Sequence, residues 1–241
     1  MKFIRLLAFT LTAGLSTLFL SCFIYIDGNS DITASERSMA SFNKVSAAGP
    51  TEVNLHHSDE YRVIINVDSN LLNIVDIKVR DKTLTIGTKS SKNNRSYSFT
   101  KFIVDVYSPE IIEVSFAGSG NVNAADTITA SNFKAIIAGS GTFTAEIENE
   151  TFTLETAGSG NTDVSGSTGT LKLKIAGSGR INAFDLEAVK AEADISGSGL
   201  AKITVSEHIK ARITGSGEII YRGSPEVDST IIGSGKIRAD Y

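Results

Sequence analysis

The sequence predicts an all-β protein built as a parallel β-helix, a solenoid whose coils stack along one axis. Three observations carry that reading. The tripeptide Gly-Ser-Gly recurs seven times, beginning at residues 118, 139, 158, 177, 197, 215 and 233. Apolar and polar residues alternate on both sides of each copy, the period of a half-buried strand. Apolar residues do not recur at three and four, so no helix competes.

Each copy supplies two strands and the corner between them. Two residues past the second Gly stand Val122, Phe143, Thr162, Ile181, Ala201, Ile219 and Ile237. Two residues before the first Gly stand Phe116, Ile137, Thr156, Ile175, Ile195, Ile213 and Ile231. One such strand pair cannot bury its apolar face alone, whereas stacked copies share a continuous core. The corner residues are Gly118 and Gly120, Gly139 and Gly141, Gly158 and Gly160, Gly177 and Gly179, Gly197 and Gly199, Gly215 and Gly217, and Gly233 and Gly235. Glycine suits a corner that needs positive φ or close backbone approach. A third, variable side runs through segments such as 146–151 and 222–226 and absorbs the uneven spacing. The right-handed coil is the default for parallel crossovers. Left-handed hexapeptide coils also use about 18 residues per turn, but they need an aliphatic every six residues on three equal sides.

The residues just before each corner form charged columns. Glu155, Lys174, Asp194 and Arg212 alternate in sign, as do Glu192, Lys210 and Asp228, and Glu113 and Lys134. In a parallel stack these are lateral neighbours, and opposite charges contribute about 0.2–1 kcal/mol per pair. The expectation is a solvated face.

The chain begins with Lys2 and Arg5 and then has no charged residue from Leu6 to Ile26. Ser21-Cys22 follows Leu18-Phe19-Leu20, which resembles a bacterial lipoprotein signal: residues 1–21 are removed and Cys22 is acylated. An uncleaved membrane anchor and an ordinary secretory signal are the alternatives, since the run is about long enough to span a bilayer. The lipoprotein reading accounts for the lone cysteine, and all three readings place the rest outside the cytoplasm. Residues 22–41 read as a flexible tether. Residues 42–117 read as an N-terminal β region of wider, irregular coils that continues and caps the solenoid. Within it, Ile77–Val79 and Leu84–Ile86 flank a hairpin turn. Ala48-Gly49-Pro50-Thr51-Glu52-Val53-Asn54-Leu55 aligns with Ala117–Ala124, so a first coil with a degenerate corner starts at Gly49. Residues 118–241 are the repeat solenoid. Its uncapped C-terminal edge is a surface for a partner or a second copy.

Repeated Gly-Ser-Gly followed by polar–apolar alternation resembles the putative auto-transporter adhesin, head GIN domain family. Phe42-Asn43-Lys44-Val45 with Gly49-Pro50-Thr51-Glu52-Val53, and Ile111–Ser115 before the first corner, are similar to that family's opening. The resemblance covers about 42–241. It implies an exported, often lipid-anchored β-helical protein of the cell envelope, with no catalytic residues to carry over.

Chemistry is otherwise sparsely signalled. One cysteine excludes an intramolecular disulfide framework, a Cys-based zinc site and an iron–sulfur cluster. A net charge of −4 argues against a nucleic-acid partner. Asp163 and Glu218 stand alone in their columns, so no facing carboxylate pair for glycoside hydrolysis is indicated. Asn121, Asn123, Asp126, Asn161 and Asp163 do not recur as a calcium ladder, and no cofactor or metal is expected. His56, His57 and His208 read as surface residues, and Ser119 and its equivalents as a corner column rather than nucleophiles. Tyr97, Phe99 and Tyr107 are the aromatics available for stacking on a sugar. The function expected is non-enzymatic adhesion, surface binding or scaffolding at the envelope, with a lipid anchor to the outer membrane. A glycan-binding or polysaccharide-processing β-helix is the alternative.

Overall fold

A computed structural model describes residues 24–89 and 95–240. Cys22 and the signal segment lie outside the described residues. Strands β1 (Ile24–Asp27), β2 (Ile32–Ser38), β3 (Lys44–Gly49), β4 (Glu52–His57) and β5 (Arg62–Asp68) precede a short 3-10 turn at Leu72–Ile74. Then follow β6 (Val75–Arg80), β7 (Thr83–Thr88), β8 (Arg95–Ser98), β9 (Phe102–Ser108), β10 (Glu113–Gly118), β11 (Asn121–Ala124) and β12 (Asn132–Gly139). Four long strands come next: β13 (Thr142–Gly158), β14 (Asn161–Gly177), β15 (Arg180–Gly197) and β16 (Leu200–Gly215). The last are β17 (Glu218–Arg222), β18 (Glu226–Gly233) and β19 (Lys236–Ala239). All but β1 and β8 belong to one 17-stranded sheet, wound into a β-solenoid of about seven turns.

The corners stack in strict register. Gly49, Gly118, Gly139, Gly158, Gly177, Gly197, Gly215 and Gly233 pair in sequence from one coil to the next. From Ser140 onward the Ser amide donates to the carbonyl of the glycine below, as Ser178 does to Gly158 at 2.8 Å and Ser198 to Gly177 at 2.8 Å. The residue after the second Gly repeats the bond, as Arg180 does to the Gly160 carbonyl at 3.0 Å. The ladder therefore runs through the bend without a break. The seven corner serines are exposed and lie along one edge.

Two different constraints select the two glycines. Gly177 has φ +122°, and a Cβ there would sit 2.5 Å from the Gly158 carbonyl oxygen. The second glycine has ordinary φ but leans over the core. A Cβ on Gly199 would lie 2.5 Å from Ile175 Cγ2, the inward side chain of the coil below. Shape and backbone sign are thus fixed at neighbouring positions.

The core is a set of parallel columns. Val114, Ala135, Leu154, Leu173, Ala193 and Ala211 form one, and Phe116, Ile137, Ile175, Ile195 and Ile213 another, all buried. Phe133 stacks between Phe152 at 5.7 Å and Phe143 at 6.2 Å. Thr156 and Thr162 flank one corner as the polar exceptions, 2% and 1% exposed, and neither hydroxyl has a hydrogen-bond partner.

The variable side is strand as well, since β13 to β16 run through it. Register shifts between Asp163 and Ser165, and between Ala183 and Glu187, take up the uneven repeat lengths. Bulges do the absorbing in these coils, while the loops 125–131 and 223–225 take it up between β11 and β12 and between β17 and β18.

The N-terminal region differs from expectation beyond its first rungs. The Gly49 rung is regular, with Ala48 opposite Ala117 and Val53 opposite Val122. One further rung, β7 under β3 and β9 under β4, is parallel. Beyond it the closure is antiparallel: β5 pairs with β9, β2 with β5, and β6 with β7. Irregular coils are replaced by antiparallel strands that cover the end. The expected β6–β7 hairpin turns at Asp81 and Lys82, both at positive φ (49° and 61°), the geometry that matches strand twist.

The expected tether at 22–41 is also corrected. Ile32–Ser38 is a strand in full antiparallel register with β5. A buried carboxylate holds its approach. Asp68 accepts from the amides of Ser30 (2.9 Å), Thr100 (2.8 Å) and Lys101 (3.3 Å), and it is 0% exposed. Asn29, Asp31, Ser69 and Asn70 knit around it. Desolvation alone would raise the Asp68 carboxyl, but its backbone donors outweigh this and hold it below the ordinary value.

Three outcomes are expected in denaturation experiments. Gly177→Ala costs about 1–3 kcal/mol through its backbone sign and carbonyl contact. Thr156→Val raises the midpoint, because an unsatisfied buried hydroxyl costs about 1–3 kcal/mol and the replacement keeps its shape. Asp68→Asn lowers stability at neutral pH. Because the folded value is depressed, the Asp68 contribution is complete above about pH 4 and fades as pH falls through the folded value. The gap between wild type and Asp68→Asn therefore narrows in acid.

Candidate functional site

Fixed register turns the pre-corner residues into a built surface. Outward side chains five and three residues before each corner line a groove of about 620 Å³ that crosses five coils. Its floor is the backbone around Leu173, Ala193 and Ala211, whose side chains point into the core. Lys172 lies opposite Glu192, Glu192 opposite Lys210, and Lys210 opposite Asp228. Lys174 lies opposite Asp194, and Asp194 opposite Arg212.

The columns also read across the coils as stripes. Glu155 is followed by Lys172 with Lys174, then Glu192 with Asp194, then Lys210 with Arg212, then Asp228. Each stripe has one sign, and successive stripes, about 4.8 Å apart, alternate. The ends are satisfied locally. Lys134 meets Glu155 at 2.9 Å, and His208 meets Asp228 at 3.1 Å. Among the described residues, the six charges of the three middle stripes make no ion pair within 4.0 Å. Exposed pairs gain little from closing, so long side chains remain extended into the groove.

The other predicted candidates are committed to ladders. Asp163 accepts from Asn182 at 3.0 Å, and Glu218 from Arg238 at 2.8 Å. Asn123 donates to Asn54 at 3.3 Å, and Asp126 accepts the His57 amide at 2.8 Å. Among the described residues no three His, Cys, Asp or Glu side chains converge on a metal-sized centre. Tyr107 is enclosed on both faces, by His56 at 4.7 Å and by the Arg62 guanidinium at 3.7 Å. Phe99 stacks on Phe102 at 4.8 Å. The three aromatics do not assemble an open platform. Cys22 lies outside the described residues, while the corner glycines form the groove's neighbouring edge.

The family is decided by the greater part of the chain. The family described as putative auto-transporter adhesin, head GIN domain, matches residues 41–225. The chain belongs to that family. Solved structures share the fold. A putative adhesin from Bacteroides fragilis superposes with TM-score 0.84 at 24% identity, covering 89% of this chain and 100% of the other. A putative lipid binding protein from Parabacteroides distasonis gives TM-score 0.76 at 27% identity, covering 90% and 100%. A putative adhesin from Parabacteroides merdae gives 0.74 at 26%, again covering 90% and 100%. No curated protein matches the chain. The family and the shared fold support an adhesin-like role at the cell surface or envelope.

Lys174→Glu places three acidic residues in one column, between Glu155 and Asp194. It should lower stability by about 0.2–1 kcal/mol per new like-charge contact at low salt, and by less at high salt, read from urea midpoints.

Proposed function

We propose that the protein is a non-enzymatic binding and scaffolding module of the cell envelope, held to the outer membrane by acyl chains on Cys22. The carrying observation is the groove: a rigid ladder presenting rows of charge that the protein itself leaves unpaired. Repetition over five coils favours many weak simultaneous contacts over one deep pocket, the arrangement in which avidity exceeds single affinity. The apolar leader ending in Ser21-Cys22 supports the anchor. The engagement of Asp163 and Glu218 with ladder partners supports a non-catalytic role. A second contact surface in this reading is the outer edge of β18 and β19, which among the described residues pair only with β16 and β17, where another copy adds strands.

Glycan binding or processing is the second reading, favoured by the open, polar character of the same groove. Two measurements separate the possibilities. Metabolic palmitate labelling should mark wild type and not Cys22→Ala; equal labelling of both refutes the anchor. A polysaccharide panel should shift the thermal midpoint if a glycan occupies the groove, and release of reducing ends would establish processing.

A further inference from the structure

The groove's charge pattern restricts what can lie in it. The stripes alternate in sign and cancel over the groove, so net charge selects no partner. A uniformly anionic polymer gains at the Lys172–Lys174 stripe what it loses at the Glu192–Asp194 stripe. The stripes stand about 4.8 Å apart, well inside the screening length of about 8 Å at physiological salt, so a ligand feels both. A good occupant must itself alternate in sign with the same period. We propose that the occupant is the same groove on a second copy of this chain, which carries that period by construction. This names the partner for the site and rests on the binding-scaffold reading above.

Register dictates how two grooves can meet. With solenoid axes parallel and in step, every stripe faces its own sign. With axes antiparallel about a two-fold between the Lys174 and Asp194 coils, every stripe faces its opposite. Lys172 and Lys174 then meet Glu192 and Asp194 of the second copy, and the reverse. Arg212 comes opposite Glu155, and Asp228 opposite Lys134, in competition with the local pairs Lys134–Glu155 and His208–Asp228. The contact is isologous, as a two-fold interface requires. Antiparallel axes have a topological consequence. The strand nearest Cys22 lies at one end of the solenoid, so the two anchored ends point in opposite directions. Such a pair joins chains on facing membranes rather than neighbours on one membrane.

The test uses the full chain, reconstituted through its own anchor into phosphatidylcholine vesicles and checked by flotation. Two variants reverse complementary stripes: Lys172→Glu with Lys174→Glu, and Glu192→Lys with Asp194→Lys. Wild-type vesicles should cluster at about 0.01 M salt and disperse at about 1 M, as the screening length falls from about 30 Å to about 3 Å. Vesicles of either variant alone should cluster at least tenfold less, and mixing the two should restore clustering. Cross-linking gives an independent readout if reconstitution fails. Glu155→Cys on one tagged copy and Arg212→Cys on another stand three coils apart within a chain, about 14 Å, too far to bridge internally. A short bis-maleimide should join the two tags, with at least tenfold less product from either variant alone or from the parent. Equal clustering by all variants, or Glu155→Cys joining to itself, overturns the proposal. A polysaccharide that shifts the midpoint without any mixed cross-link overturns the self-pairing alone. Absence of both overturns the binding-scaffold reading as well.

Discussion

The structure depends on how closely one corner lies upon the next. At Gly177 there is no space for a Cβ, because the Gly158 carbonyl occupies it. At Gly199 the same is true of an inward isoleucine from the coil below. These two exclusions force each coil into one height, one phase and one bend. A flat strand pair slips easily, and a slip of one residue exchanges the faces. A stack whose corners admit only glycine in one register cannot slip without clashing at every level. Burial of the isoleucine, phenylalanine and leucine columns drives assembly, and the corner decides which assembly is reached.

Fixed phase is also what gives the surface meaning. Charged residues on a loop would sample many arrangements and pair with whatever lay near. Here each Lys, Glu, Asp and Arg before a corner from Glu113 to Arg212 has its backbone held by a ladder on both sides, and Asp228 on β18 by a ladder on one. The sequence repeat becomes a spatial repeat with the sheet's own spacing. Alternating sign down the columns avoids like-charge contact between coils, which stabilises the stack modestly. Like sign along each coil then produces the stripes. One pattern thus serves folding within the chain and, in the proposed self-pairing, would set selectivity outside it without additional residues.

The legible and illegible parts of the sequence divide along this physics. Period two and the glycine corners are short-range signals with a steric cause, and they located the strands, the columns and the degenerate corner at Gly49. The strand Ile32–Ser38 carries no apolar face to announce it. It is held by its ladder to β5 and by the Asp68 cluster, contacts between residues far apart in sequence. The antiparallel closure was hidden for the same reason, since alternation specifies a strand but not its direction. The bulges at Asp163 and Ala183 were visible only as uneven spacing. The columns of charge were legible residue by residue as a solvated face, and their side chains are largely exposed, but the depression they border was not. Seeing it required knowing that −5 and −3 positions border one depression and that the middle rows stay unpaired.

The early start of the fold bears on how the surface is used. Only Phe23 separates Cys22 from β1, which pairs with β8, and Asp68 fixes the residues immediately after. A lipid on Cys22 would therefore tether the domain with little slack, by the capped end of the solenoid. The stripes would then lie at graded heights along an axis of about seven turns, roughly 34 Å. A surface graded in that way is poorly placed to pair with a neighbour of the same height, because equal heights bring like signs together. It pairs best with a copy inverted relative to itself. With Cys22 acylated as proposed, short tether, stacked register and sign alternation would together suit contact with an inverted copy across a gap.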